Sequence, residues 1–170
     1  VVTCTQGLEL AGGTRTVTVV DNTTETGDKA VLSGVVSNGS LNKSGNGILE
    51  LSGANTFDGL TVAAGTLQFT TASNNGGGAS NLGQGTNNIT LNSNGRLQFI
   101  GSTDQATNRG ITITGTRFLE APGTGGAVFT YSGTINAAGN TINFGGTGDG
   151  VFNGTISQTG TAADFYKVGT

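Results

Sequence analysis

A chain of 170 residues with a formal net charge of −3 and only 10% charged residues offers nucleic acid no basic patch. Arg15, Lys29, Lys43, Arg96, Arg109, Arg117 and Lys167 are scattered singly. No apolar stretch reaches the roughly 18 residues of a membrane span, and the opening VVTCTQGLEL lacks the basic and apolar segments of a signal peptide. Glycine fills 32 positions, yet 34% of the chain is hydrophobic and set in short regular runs, which argues against a disordered linker.

In chain order these runs are Thr16–Val20, Val31–Val36, Ile48–Leu51, Leu60–Val62, Thr66–Phe69, Ile89–Leu91, Ile111–Thr114 and Thr141–Phe144. They are rich in β-branched residues and alternate apolar with Thr, Asn, Gln or Glu, the period-2 signature of strands with one buried face. Gly-Gly, Ser-Gly, Asn-Gly and Ala-Gly pairs between them mark turns. Strands of about three to five residues with a corner after each suit a solenoid better than a flat sandwich. Stacked coils bring like residues about 4.8 Å apart, where like charges repel, so a low charge content fits. The expected interior is Val17, Val19, Leu32, Val35, Leu49, Leu51, Leu60, Val62, Leu67, Phe69, Leu91, Leu97, Phe99, Ile111, Ile113, Leu119, Phe129, Ile135, Ile142, Phe144, Phe152 and Ile156.

Self-comparison finds recurrences. Gly13–Val17 recurs as Gly115–Leu119, preceded by Leu8–Leu10 and Ile111–Ile113. Val31–Ser37 recurs as Val151–Ser157, with a weaker copy at Val128–Ile135, and Leu41–Gly45 recurs as Phe165–Gly169. The offset grows from 102 (Gly13 to Gly115) to 120 (Val31 to Val151) and 124 (Leu41 to Phe165). That predicts one inserted coil around Ala127 to Gly146. Residues 41–170 read as one full cycle and residues 1–40 as the tail of another, in a single solenoid segment of a longer array.

Lys43, Gly45, Gly47, Leu49, Leu51-Ser52-Gly53, Asn55, Phe57, Gly59, Thr61-Val62 and Gly65-Thr66-Leu67 resemble the passenger-associated repeat of bacterial autotransporters. The spacing is one residue short between Gly59 and Val62. Ser80–Gly85, Asn88–Leu91 and Gly95–Phe99 resemble the coils that follow in that family. The resemblance implies a right-handed parallel β-helix, here of about seven coils. It also implies an extracellular or cell-surface place on a Gram-negative-type bacterium, as the extended part of an adhesin.

Candidate chemistry is sparse. The acids Glu9, Asp21, Glu25, Asp28, Glu50, Asp58, Asp104, Glu120, Asp149 and Asp164 are dispersed, which reads as surface solubility. Glu50 is expected to face outward and could neighbour an acid on an adjacent coil. Gly145–Phe152 has its aspartate, Asp149, one residue early for a calcium nonapeptide and reads as a turn. Cys4 has no disulfide partner and no histidine to activate it. Thr3-Cys4-Thr5, Thr16-Val17-Thr18 and Thr112-Ile113-Thr114 read as outward strand residues and predict no regular array. Thr70–Asn88 reads as a mobile connector. Asn22-Thr23-Thr24, Asn38-Gly39-Ser40 and Asn153-Gly154-Thr155 match the glycosylation pattern by chance. No catalytic residue, metal site or cofactor is expected, and the sequence assigns no binding residue. The expected function is a rigid rod that stacks end to end. The alternative is an adhesive module for a glycan or cell surface, supported if arginine and the aromatics Phe165, Tyr166 and Tyr131 share an exposed stripe. A polysaccharide-degrading β-helix enzyme is the third reading.

Overall fold

The computed structural model describes residues 1–168 apart from Thr26, Ser93 and Thr159. Gly169, which closes the last predicted recurrence, and Thr170 lie outside the described residues. Among the described residues the regular elements are all strands. The first coil holds β1 (Val2–Cys4), β2 (Leu8–Glu9) and β3 (Thr14–Thr18), and the second β4 (Lys29–Leu32), β5 (Val36–Ser37) and β6 (Ser40–Ser44). The third holds β7 (Ile48–Leu51) and β8 (Gly59–Val62), the fourth β9 (Thr66–Phe69) and β10 (Ile89–Asn92). The fifth holds β11 (Arg96–Phe99), β12 (Gln105–Thr107) and β13 (Ile111–Thr114), the sixth β14 (Arg117–Glu120), β15 (Val128–Tyr131) and β16 (Ile135–Asn136). The seventh holds β17 (Ile142–Gly145), β18 (Asp149–Phe152) and β19 (Ile156–Ser157), and β20 (Phe165–Lys167) opens another turn.

Stacking the coils in parallel register makes a β-solenoid of about seven turns with three faces. The first face is the eight-stranded sheet β1-β4-β7-β9-β11-β14-β17-β20, and the third is the seven-stranded sheet β3-β6-β8-β10-β13-β16-β19. The second face is interrupted, with β2-β5 at one end and β12-β15-β18 at the other. At one strand spacing per turn the rod is about 35 Å long. Turn length is not constant: Leu49 and Leu67 are partners 18 residues apart, Leu67 and Leu97 partners 30 apart.

Alternation fills the interior. Leu49, Leu51, Leu67, Phe69, Leu97 and Phe99 point inward from the first face, and Leu60, Val62, Ile89, Leu91, Ile111 and Ile113 from the third. Phe129 joins Phe69 and Phe99, with ring centroids 5.2 Å from each. Each such burial contributes about 1.5–3 kcal/mol. Val35 departs from the expected interior: it is 45% exposed, and its neighbour Val36 is fully buried in its place. The cause is the corner before it. A Cβ on Gly34 would sit 2.1 Å from the Gln6 carbonyl oxygen of the coil beneath, so the chain turns hard there and the inward phase begins one residue later. The same Ser-Gly corner recurs at Gly53 over Gly34, and an Asn-Gly corner stacks at Gly154 over Gly133, each with room for no side chain.

The third and fourth coils have no strand on the second face, and two buried asparagines take over its hydrogen bonding. Asn55 Oδ1 accepts from the Val36 amide at 2.8 Å, and its Nδ2 donates to the Asn81 carbonyl at 2.9 Å. Asn81 Oδ1 accepts from the Thr70 and Thr71 amides, and its Nδ2 donates to the Gly53 carbonyl. This corrects the reading of Thr70–Asn88 as a mobile connector. Its second half is pinned by Ser80, Asn81 and fully buried Leu82, while Thr71, the tip from Asn74 to Ala79, Gln84 and Thr86 to Asn88 stand exposed.

The recurrent segments fall on different faces. Gly13–Val17 lies at β3 on the third face, while Gly115–Leu119 lies at β14 on the first. Val31–Ser37 runs from the first face to the second, and Val151–Ser157 from the second to the third. Lys43 is on the third face and Lys167 on the first. Every pair is displaced in the same sense by a third of a turn.

Candidate functional site

With the second face interrupted, the first and third present continuous outward surfaces, and their chemistry differs. The outward positions of the first face form two rows fixed by register. One row runs Lys29, Ile48, Thr66, Arg96, Phe118, Asn143, Tyr166; the other runs Val31, Glu50, Gln68, Gln98, Glu120. Long polar side chains one strand spacing apart bond along the row. Gln68 Nε2 donates to Gln98 Oε1 at 2.6 Å, and Gln98 Nε2 donates to Glu120 Oε2 at 2.9 Å. Arg96 donates to Glu120 Oε1 at 2.5 Å, and its guanidinium carbon lies 3.9 Å from the centre of the Phe118 ring. The ladder is therefore clamped at one end by an ion pair and a cation–π contact. At the other end Lys29 donates to Glu50. Glu50 thus has a glutamine and a lysine beside it, and the expected acid neighbour is absent. The carboxylates are sheltered, with Glu120 12% and Glu50 16% exposed, while the Arg96 side chain stays 41% exposed.

Only one of the three proposed stripe aromatics stands on this surface. Tyr166, 54% exposed, ends the row that contains Arg96 and Phe118. Phe165 is 45% exposed, but it belongs to the inward row above Ile142, its ring stacked on Phe144 at 6.4 Å. Tyr131 is buried, a correction to the expected stripe: it points inward from β15, and its hydroxyl donates to the Arg109 carbonyl. Burial raises its phenol pKa well above the usual value, despite the opposing influence of Arg109.

Three of the cations that are scattered singly along the sequence are buried: Lys43, Arg109 and Arg117. Each donates to backbone carbonyls, Lys43 and Arg109 at corners and Arg117 to strand β10. Lys43 occupies an inward position of β6 between Val17 and Val62, and its Nζ donates to the carbonyls of Gly45 at 2.6 Å, Ala64 at 2.9 Å and Ser44 at 3.2 Å. Burial pulls its pKa down to about 8. Arg109 donates to the carbonyls of Leu82 at 2.5 Å, Asn87 at 3.1 Å and Asp58 at 3.3 Å. Arg117 Nε donates to the Leu91 carbonyl at 3.0 Å. Burial lowers the pKa of both arginines. The signal in the sequence was the phase: in Ser40-Leu41-Asn42-Lys43-Ser44 the lysine stands two residues from buried Leu41, on the inward side.

The remaining candidates disperse. Cys4 is a free, exposed thiol in β1. Asp149 is exposed at the start of β18, on the rim of an open groove of about 400 Å³ floored by Phe144 and Phe152. Among the described residues no three His, Cys, Asp or Glu side chains meet where they could hold a metal ion, and no helix is long and apolar enough to cross a membrane.

The fold is a β-solenoid, and residues 41–69, the stretch from β6 to β9, match the passenger-associated-transport-repeat family. Over a wider span the chain is similar to the adhesin BmaC autotransporter of Brucella suis biovar 1, 36% identical over 134 residues, which is 78% of this chain and 4% of that protein. No solved structure matches the chain.

Proposed function

We propose that this chain is a rigid, non-catalytic segment of an adhesin-like passenger exposed on the surface of a Gram-negative bacterium. In this reading its first face is the surface that touches a target. The observation that carries the reading is the preorganised ladder from Gln68 to Glu120, closed by Arg96 on Phe118. A ladder held by its own hydrogen bonds presents polar groups without a further ordering cost, which favours binding. The adhesin relative and the passenger repeat support the placement. The length comes from the stack itself, one strand spacing per turn. Terminal strands β1 and β20 each have one neighbour in their sheet, and stacking of further coils on those edges belongs to the same reading.

Carboxamide, carboxylate, guanidinium and aromatic groups on one face also favour a glycan as the target, because sugars offer hydroxyls to the first three and C–H faces to the last. The test is binding of the purified chain to a glycan array and to cultured epithelial cells, beside an Arg96→Ala/Phe118→Ala variant with an unchanged circular dichroism spectrum. The expected result is binding by the parent chain that falls at least tenfold in the variant. Equal binding by both would move the contact off the first face, and no binding by either would leave a passive rod.

A further inference from the structure

The first face carries a ladder, and the third carries a polar row. Register aligns Thr16, Asn42, Thr61, Thr90, Thr112, Asn136 and Ser157 outward on the third face, one residue per turn and none of them charged. The array that the separate T-x-T strands did not predict is therefore present, built from Thr, Asn and Ser together. Asn42 donates to Thr16 at 3.1 Å, and beside the row Thr114 donates to Asn92 at 2.7 Å. The interrupted second face has no such array, and the segment that crosses it carries a chemistry of its own.

Five Asn-Gly pairs punctuate the chain: Asn38-Gly39, Asn46-Gly47, Asn75-Gly76, Asn94-Gly95 and Asn153-Gly154. Such a pair can lose its side-chain amide with water as the one co-reactant. The glycine nitrogen gives up its proton and attacks the asparagine Cγ. The Cγ–Nδ2 bond breaks, ammonia leaves, and a five-membered imide closes. Water then adds to one of the two imide carbonyls. Breaking the Cγ–N bond gives aspartate, and breaking the backbone C–N bond gives isoaspartate, whose main chain runs through Cβ and Cγ. Glycine favours the attack because it has no Cβ to shield its nitrogen or restrict its backbone. The attack also needs the rigid peptide plane between the two residues to swing about the asparagine Cα–C bond.

Four of the five pairs cannot make that swing without parting stacked coils. The Gly47 amide is held by the Val19 carbonyl and the Gly95 amide by the Asn92 carbonyl, both at 2.9 Å. A Cβ on Gly39 would lie 2.3 Å from the Gly13 carbonyl oxygen, and the Asn38 carboxamide donates to Glu9. A Cβ on Gly154 would lie 2.0 Å from the Gly133 carbonyl oxygen, and the Asn153 amide donates to the Tyr131 carbonyl at 3.0 Å. These four glycines are buried or half-buried, whereas Asn75 and Gly76 are both exposed. The nearest atom to a Cβ on Gly76 would be Thr86 Cγ2, an ordinary contact at 3.6 Å. Among the described residues neither the Gly76 amide nor the Asn75 carboxamide has a hydrogen-bond partner. One bond closes the turn around them, from the Gly77 amide to the Asn74 carbonyl at 2.8 Å. Opening it is a local event, while opening the corners draws on the stability of the stack.

The geometry points to Asn75 as the site to which this fold confines spontaneous deamidation. Each conversion places one new carboxylate on the second face, and the isoaspartyl product also lengthens the main chain there by one methylene. The change stays at the tip. Asn108 clamps the segment behind it, with Oδ1 accepting from the Asn75 amide at 2.7 Å and the Asn108 amide donating to Asn74 Oδ1 at 3.1 Å. A surface chain of this kind therefore presents asparagine, aspartate and isoaspartate versions of one loop as it ages, whatever its first face binds.

The test is incubation of the whole folded chain in mildly alkaline buffer at body temperature, with proteolytic peptides followed over time by mass spectrometry. The readout is the mass shift of an amide-to-carboxylate exchange, and fragmentation separates isoaspartate from aspartate. Asn75 is expected to convert at least tenfold faster than any of the other four, with an unchanged circular dichroism spectrum. In urea that unfolds the chain the five rates should come within a few-fold of one another, because the protection belongs to the fold. Asn75→Gln is expected to silence the tip peptide, since glutamine would have to close a larger, slower-forming ring. The proposal is overturned if a corner asparagine converts as fast as Asn75 in the folded chain, or if Asn75 stays intact. A tip peptide of Asn75→Gln that still gains the mass overturns it as well, as does a rate difference that survives in urea.

Discussion

The first and third faces share one interior and one strand spacing, yet they meet solvent in opposite ways. The first is laced by Lys29–Glu50, Arg96–Glu120 and the Gln68–Gln98 link; the third shows hydroxyls and carboxamides without charge. The lesson is that outward positions of a solenoid face are nearly free of folding constraint, so their chemistry reports on what each face meets. Inward positions have no such freedom. Even the polar ones, Lys43 behind the third face and Arg117 behind the first, are spent on backbone carbonyls.

Breaking the shared interior should erase both faces together and give the largest effect. Leu51→Asp places a carboxylate among fully buried side chains. The expected loss exceeds about 4 kcal/mol, read as a collapsed urea midpoint in denaturation followed by circular dichroism. Next is Lys43→Met, which leaves the carbonyls of Ser44, Gly45 and Ala64 without their donor and should cost about 2–4 kcal/mol at pH 7. The same site has a pH signature. The Lys43 pKa in the fold, about 8, lies below its ordinary value of 10.5. The unfolded chain therefore binds more protons between those values, and stability rises with pH across that window. Melts of parent and Lys43→Met from pH 7 to 11 should show the parent gaining on the variant above pH 8, with no differential slope below it.

Smaller effects separate the two faces. Arg96→Ala removes an ion pair and a cation–π contact from a partly exposed site, for an expected loss of about 1 kcal/mol that shrinks in 1 M salt. On the third face, Thr112→Val exchanges one β-branched residue for another and should shift the urea midpoint by no more than about 0.5 kcal/mol. If Thr112→Val cost as much as Arg96→Ala, the third face would be held by its hydroxyl ladder rather than merely decorated by it.

Much of this was readable from residue order. Ile48-Leu49-Glu50-Leu51 alternates, and the structure buries Leu49 and Leu51 and turns Glu50 outward. Period-2 reasoning works because a strand has only two sides. It failed at Val35, where Gly34 resets the phase; the stripe that would have joined Tyr131 to Phe165 and Tyr166 does not form, because Tyr131 is buried with its hydroxyl on the Arg109 carbonyl. Which strand stacks on which face was not legible, because corners absorb from a few residues to the 19 between Phe69 and Ile89. The Arg96–Phe118 clamp and the threonine–asparagine row both depend on that stacking. Their adjacent members lie 19 to 29 residues apart in the chain, so no local pattern announces them.

The third-of-a-turn displacement between recurring segments bears on how such a chain can grow. If a unit of this kind were copied in tandem, each copy would come out rotated about the long axis, like successive marks on a screw thread. A favourable surface change inherited by every copy would not pile up along one side. It would wind around the rod and return to its starting side only at the fourth copy. A face of uniform chemistry, like the threonine-rich one, has to be assembled from unlike parts of the repeating unit, by separate substitutions that converge on the same outward character.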